Sequence, residues 1–235
     1  MSKPYQIIPI SECGEQLVAI ASDIYRIAPH PYMALGAPYG DRSPFFIRQG
    51  ILERLQKSQA YLRTLRPNWQ IAVFDAYRPI PVQQFMVDYS FTQLAESKGL
   101  PVENLTKEQK KSLMTEVIEF WAIPSDDPQT PPPHSTGAAI DVTLYRYPTQ
   151  DEDSIQEINM GSPIDEISDR SFPDYFANSL DIKEREFHRD RQLLNQVMTY
   201  SGFQRHPNEW WHFSYGDQLW AWISNEKSAI YGGVK

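Results

Sequence analysis

His134-Ser135-Thr136-Gly137-Ala138-Ala139-Ile140-Asp141-Val142-Thr143-Leu144-Tyr145 passes from a turn into a strand. From Ile140 onward the residues alternate, with Ile140, Val142 and Leu144 on one face and Asp141, Thr143 and Tyr145 on the other, as the two-residue period of an extended chain requires. Asp141 therefore points away from the aliphatic face. Gly137 and Ala139 put no bulk between His134 and Asp141, which lets the backbone turn sharply into the strand. Taken alone, the stretch fits either a metal-binding pair or a turn with a satisfied histidine.

Upstream, residues 70–74 are apolar and β-prone and run into Asp75-Ala76-Tyr77-Arg78-Pro79, so Arg78 stands at a strand end. Residues 45–65 carry Ile47, Ile51, Leu55, Ser58 and Leu62 at three- and four-residue steps, which predicts a helix ended by Pro67. Pro81 opens the next helix, where its missing N–H costs nothing, and Val82, Phe85, Met86 and Tyr89 form its buried stripe. Thr106-Lys107-Glu108-Gln109 has the form of a capping box, with Leu113, Met114, Val117, Phe120 and Trp121 as the apolar face of the helix it starts. A proline-rich loop over 124–133 then delivers the chain to His134.

Downstream, residues 148–174 have loop character, with eight Asp/Glu against one Arg. Residues 191–201 form a helix with Gly202 as its C-cap, and the aromatic stretch 210–214 is a strand. The order helix, strand, helix, helix, strand, long loop, helix, strand lacks regular βαβ alternation. It predicts an α+β fold, an antiparallel sheet flanked by helices. With no low-complexity break and no repeat, residues 1–235 are expected to form a single domain.

The net charge of −8 and pI near 5.1 exclude nucleic acid as an expected partner, since phosphate binding needs a basic surface. Cys13 is the lone cysteine and has no internal disulfide partner. The start of the chain has no signal-like apolar run and no stretch could span a bilayer. A soluble cytoplasmic protein is expected; oligomeric state is not legible.

Glu209-Trp210-Trp211-His212 is the second informative motif. Two imidazoles and one carboxylate, His134, His212 and Asp141, suit one Zn²⁺ ion with a fourth position open to water. Glu209 suits the base that takes that water's proton. Residues three apart face opposite sides of a flat strand, so Glu209 must sit in the preceding turn or be re-aimed by a bulge. The alternative is an exposed glutamate beside an aromatic core strand. Arg78 suits an oxyanion-stabilising cation or a structural ion pair with Asp75. His30, His188 and His206 are expected to be surface or satisfied histidines, with His206 a weak alternative ligand.

These motifs, with Thr143-Leu144-Tyr145-Arg146 and Met160-Gly161-Ser162-x-x-Asp165, span residues 75 to 212. Together they resemble the D-alanyl-D-alanine dipeptidases, the VanX-like group within the zinc DD-peptidase and Hedgehog-like superfamily. The resemblance implies that His134, Asp141 and His212 ligate zinc and that Glu209 is the general base. It further implies that Arg78 stabilises the tetrahedral intermediate and that Asp165 holds the ammonium group of a small dipeptide. Tyr32 could stand where the family has a substrate-contacting tyrosine. The implied reaction is hydrolysis of D-alanyl-D-alanine to two D-alanines by metal-bound water. Alternatives with the same metal site are a DD-carboxypeptidase, a peptidoglycan endopeptidase, or a non-catalytic zinc-binding protein. Two positions depart from the family: Pro132 replaces a serine that helps bind the substrate carboxylate, and Ile164 replaces an aromatic before Asp165.

Overall fold

The computed structural model describes residues 3–148 and 154–234; residues 149–153 of the acidic loop lie outside the described residues. In chain order the elements are β1 (Leu17–Ala19), β2 (Tyr25–Arg26), α1 (Pro31–Ala34), β3 (Phe46–Arg48), α2 (Gln49–Leu65), β4 (Trp69–Asp75) and α3 (Ile80–Ser97). There follow α4 (Lys107–Phe120), β5 (Ala139–Arg146), β6 (Gln156–Glu157), α5 (Ile182–Tyr200), β7 (Gln204–Arg205), β8 (His212–Ser214) and α6 (Gln218–Ile223).

The main sheet has the order β2-β4-β5-β8-β7, with β6 pairing onto β5. Its ladders are antiparallel except the short parallel β2–β4 pair, so the α+β expectation holds. Strand β5 is central because its alternation supplies two useful faces. Ile140, Val142 and Leu144, with Ile71 and Val73 of β4, join Ile51, Leu55 and Leu62 of α2 and Leu194, Val197 and Met198 of α5 in one core. A second core gathers Val82, Met86 and Val87 of α3 with Val117, Trp121 and Tyr32, and Phe74 packs against it.

Between these layers a β-bulge re-aims the end of β4. Val73 is opposite Val142, but Asp75 is opposite Asp141, two steps on β4 against one on β5. Cross-strand partners share a face, so the bulge moves Asp75 off the Val73 face and onto that of Asp141. His212 is opposite Asp141 on the other side. Asp75, Asp141 and His212 thus form a row across three neighbouring strands.

The expected helix over 45–65 begins only at Gln49. Residues Phe46–Arg48 instead pair with β1, Ile47 opposite Val18, because Ile47 satisfies helical spacing to Ile51 in either conformation. The helix expected over 191–201 starts nine residues earlier, where the Asp181 carboxylate caps it by accepting from the N–H groups of Lys183 and Glu184 at 2.7 and 3.2 Å. The capping box at Thr106 is present, with Thr106 Oγ1 accepting from Gln109 N and Gln109 Oε1 from Thr106 N. The aromatic strand is shorter than expected, beginning at His212, and the acidic loop contains β6 and a 3-10 turn over Asp169–Ser171.

Candidate active site

His134 lies in a 3-10 turn over Pro133–Thr136, ended by Gly137 in a left-handed conformation (φ +70°). The left-handed backbone angle favours glycine here, and a Cβ would also push the end of the Leu17 side chain aside. The turn is stitched to the Arg78 segment: Ser135 Oγ donates to Arg78 O at 2.7 Å and Arg78 N to His134 O at 3.3 Å. Asp141 is the third residue of β5 and His212 the first of β8.

The inward atoms of these three side chains converge. His134 Nε2 is 3.1 Å from His212 Nδ1 and 3.2 Å from Asp141 Oδ2, and His212 Nδ1 is 3.1 Å from Asp141 Oδ1. All three residues are buried. The Ala76 carbonyl, 2.7 Å from His134 Nδ1, calls for the ring proton on that nitrogen and leaves the Nε2 lone pair facing inward. A proton between two of the groups satisfies one pair, whereas one cation satisfies all three. A tetrahedral site with bonds of about 2.0 Å has donor–donor edges of about 3.3 Å, close to the His134–His212 separation and to the distance of each histidine from its nearer Asp141 oxygen, and one donor atom from each residue lies within 4.8 Å of the others. The donor set therefore fits Zn²⁺. Among the described residues, this is the cluster of histidine and carboxylate groups with metal-holding spacing.

Burial tends to raise the Asp141 carboxyl, but the charges and hydrogen bonds of His134 and His212 hold it well below the usual carboxylate range. Burial pushes His212 down. Glu209 lies in the turn before β8, as one of the two sequence alternatives required. Its Oε2 is 3.8 Å from His212 Nδ1 and its Oε1 3.4 Å from His206 Nδ1. Burial first, then the Asp141 and Asp165 carboxylates, push the Glu209 carboxyl well up. His206 lines the same pocket but is outside the three-residue cluster.

Arg78 both forms the expected ion pair with Asp75 and faces the site. Its Nε donates to Asp75 Oδ2 at 2.9 Å, Nη1 to Gln83 Oε1 at 3.0 Å, and Nη2 to Tyr32 OH and Asp141 Oδ2, each at 3.2 Å. Its guanidinium lies over the Tyr32 and Trp121 rings. His30 is a satisfied histidine, 3.0 Å from Asp75 Oδ1. Burial alone raises the Asp75 carboxyl, yet Arg78 and His30 bring it below its ordinary value.

Asp165 enters the pocket from the acidic loop, at φ +66°, and its Oδ2 accepts from Tyr32 OH at 2.7 Å. Burial, then the Asp141 charge, push its carboxyl up to about 7, against the pull of Arg78 and Tyr32. What positions this loop is Arg191, which sequence reasoning missed. Fully buried, it donates from Nε to Met160 O at 2.7 Å, from Nη1 to Phe172 O at 2.9 Å, and from Nη2 to Ser162 Oγ and Arg170 O at 3.0 and 2.9 Å. Arg191→Met should destabilise the protein by roughly 3 kcal/mol, since three carbonyls lose a charged donor. Denaturant unfolding measures this, and an unchanged midpoint would contradict the anchoring role.

The Peptidase M15 family model, D-Ala-D-Ala dipeptidase, matches residues 26–229. The chain belongs to this peptidase family. A D-alanyl-D-alanine dipeptidase of Synechocystis sp. is 47% identical over 246 residues, covering 99% of this chain and 97% of that protein. One from Enterococcus faecium is 29% identical over 170 residues, covering 72% of each. Among solved structures, VanYB in complex with D-alanine-D-alanine aligns at 16% identity and a TM-score of 0.43, covering 77% of this chain and 79% of that one. The M15 match begins at the end of β2 and ends beyond α6, so the M15 region includes His134, Asp141, His212, Glu209, Arg78 and Asp165. No described helix is long and apolar enough to cross a membrane.

Proposed function

We propose that the protein is a zinc-dependent dipeptidase that hydrolyses D-alanyl-D-alanine to two D-alanines. The observation that carries this reading is the meeting of four elements in one pocket: the His134–Asp141–His212 cluster, Glu209, Arg78 and Asp165. Zinc held by His134, Asp141 and His212 supplies Lewis acidity, which acidifies water and polarises a carbonyl. Glu209 accepts the proton of the attacking water and delivers it to the amine as the C–N bond breaks. The charge of a bound cation would favour the carboxylate that takes the proton, and burial favours holding that proton until the amine leaves. Arg78 offsets negative charge developing on the carbonyl oxygen. Asp165, oriented by the Tyr32 hydroxyl, receives the substrate ammonium, so chains blocked or extended at the amino end are excluded.

A panel of D,D, D,L, L,D and L,L alanyl-alanines on zinc-loaded protein, with N-acetyl-D-Ala-D-Ala, tests this. The expected result is hydrolysis of free D-Ala-D-Ala and little or none of the acetylated form. Equal cleavage of both would remove the role given to Asp165 and favour a carboxypeptidase. No hydrolysis across the panel would overturn the dipeptidase reading.

A further inference from the structure

If the dipeptidase reading holds, something must meet the other end of the substrate. A free dipeptide is a zwitterion, and an enclosed pocket that leaves either charge unmatched incurs a desolvation penalty. Asp165 accounts for the ammonium. Of the cationic side chains lining the pocket, Arg78 already serves Asp75 and Asp141. Pro132, just before the His134 turn, offers neither hydroxyl nor N–H.

The remaining lining cation is Lys3. It is half-buried, and its Nζ donates to two main-chain carbonyls at the C-terminal end of α4, Ile118 O and, at 3.3 Å, Glu119 O. Neither acceptor carries a full charge. Among the described residues no carboxylate stands within ion-pair distance of it, although Glu209 and Glu119 lie within electrostatic range. The segment that carries Lys3 is anchored. Lys3 N donates to Gln6 Oε1 at 2.8 Å across a 3-10 turn over Pro4–Ile7, in which Tyr5 is buried. Gln218 Nε2 of α6 in turn donates to Ile8 O at 2.6 Å. Much of the entropy of ordering this side chain is therefore lost on folding, before any ligand arrives.

We propose that Lys3 is a specificity-determining residue whose ammonium receives the C-terminal carboxylate of the dipeptide. Lys3, beside Tyr5, then forms the carboxylate-binding side of the pocket, opposite in charge to Asp165. A substrate amidated at its C-terminus would leave Lys3 facing a neutral group and lose that contact.

Steady-state kinetics on zinc-loaded wild type, Lys3→Met and Lys3→Arg, with D-Ala-D-Ala and its C-terminal amide, decide the matter. For the acid, Lys3→Met should raise KM on the order of 10²-fold with kcat within a few fold, and Lys3→Arg should restore most of the affinity. The wild-type preference for acid over amide should collapse in Lys3→Met. Equal losses on acid and amide would show that Lys3 acts only by holding the end of α4 and would overturn the proposal. A fall in kcat with KM unchanged would assign Lys3 to Glu209 instead and overturn it as well. An unaltered acid-to-amide preference in Lys3→Met, with wild type active, refutes the Lys3 assignment while leaving the dipeptidase reading intact. Wild type inactive on both substrates refutes the dipeptidase reading and this inference with it.

Discussion

Glu209→Gln should retain one zinc per chain and lose kcat on D-Ala-D-Ala by on the order of 10²–10⁴-fold, the usual worth of a positioned general base. The change is nearly isosteric and removes only the ability to take a proton. Glu209 is outside the cluster of His134 Nε2, Asp141 and His212 Nδ1, with its nearer oxygen 3.8 Å from His212 Nδ1, so metal content should not follow activity. Folding should survive too, because burial and two neighbouring carboxylates already disfavour the charged form, and glutamine relieves that cost. Metal analysis beside single-turnover kinetics separates the alternatives. Loss of zinc with loss of activity would make Glu209 a holder of the ion. Full activity would assign the proton transfer to another group, with His206 at 3.4 Å the nearest alternative.

Much of the candidate site was legible because its residues lie in short motifs whose local geometry is tightly constrained. Alternation over Ile140 to Tyr145 set the face of Asp141, and the three-residue step from Glu209 to His212 already required a turn or a bulge. What stayed hidden depends on contacts distant in sequence. The bulge at Phe74 that turns Asp75 toward Asp141 is invisible to a period-2 pattern. The first half of α5 is mostly polar and exposed, so it carries no apolar stripe to announce a helix. Arg191 is an arginine in a charged run until folding surrounds it with three carbonyls. Lys3 reaches the pocket only because the chain start packs beside α6 and the end of α4. Ile47 shows the opposite failure, a residue that satisfied a helical pattern while belonging to β3.

Asp165→Asn should lower kcat/KM for D-Ala-D-Ala by on the order of 10²–10³-fold, since removing one partner of a buried charge pair costs about 2–5 kcal/mol. Asparagine keeps a hydrogen-bond acceptor for the Tyr32 hydroxyl, 2.7 Å from Asp165 Oδ2, so the loop should hold its shape and the loss should reflect charge. The pH dependence adds a sharper signature. The carboxyl is pushed up to about 7, first by burial and then by Asp141, and only its ionised form can pair with the substrate ammonium. In wild type, kcat/KM should therefore fall as pH drops through about 7, or somewhat lower where zinc offsets the Asp141 charge. Asparagine does not titrate there, so the Asp165→Asn profile should keep only the shallower limb of Glu209, whose ionised form the proton transfer also needs. If the variant keeps the wild-type acid limb in both slope and midpoint, Asp165 contributes nothing to it and does not receive the ammonium. A small loss with no change in discrimination against N-acetyl-D-Ala-D-Ala would rule out that pairing from the substrate side.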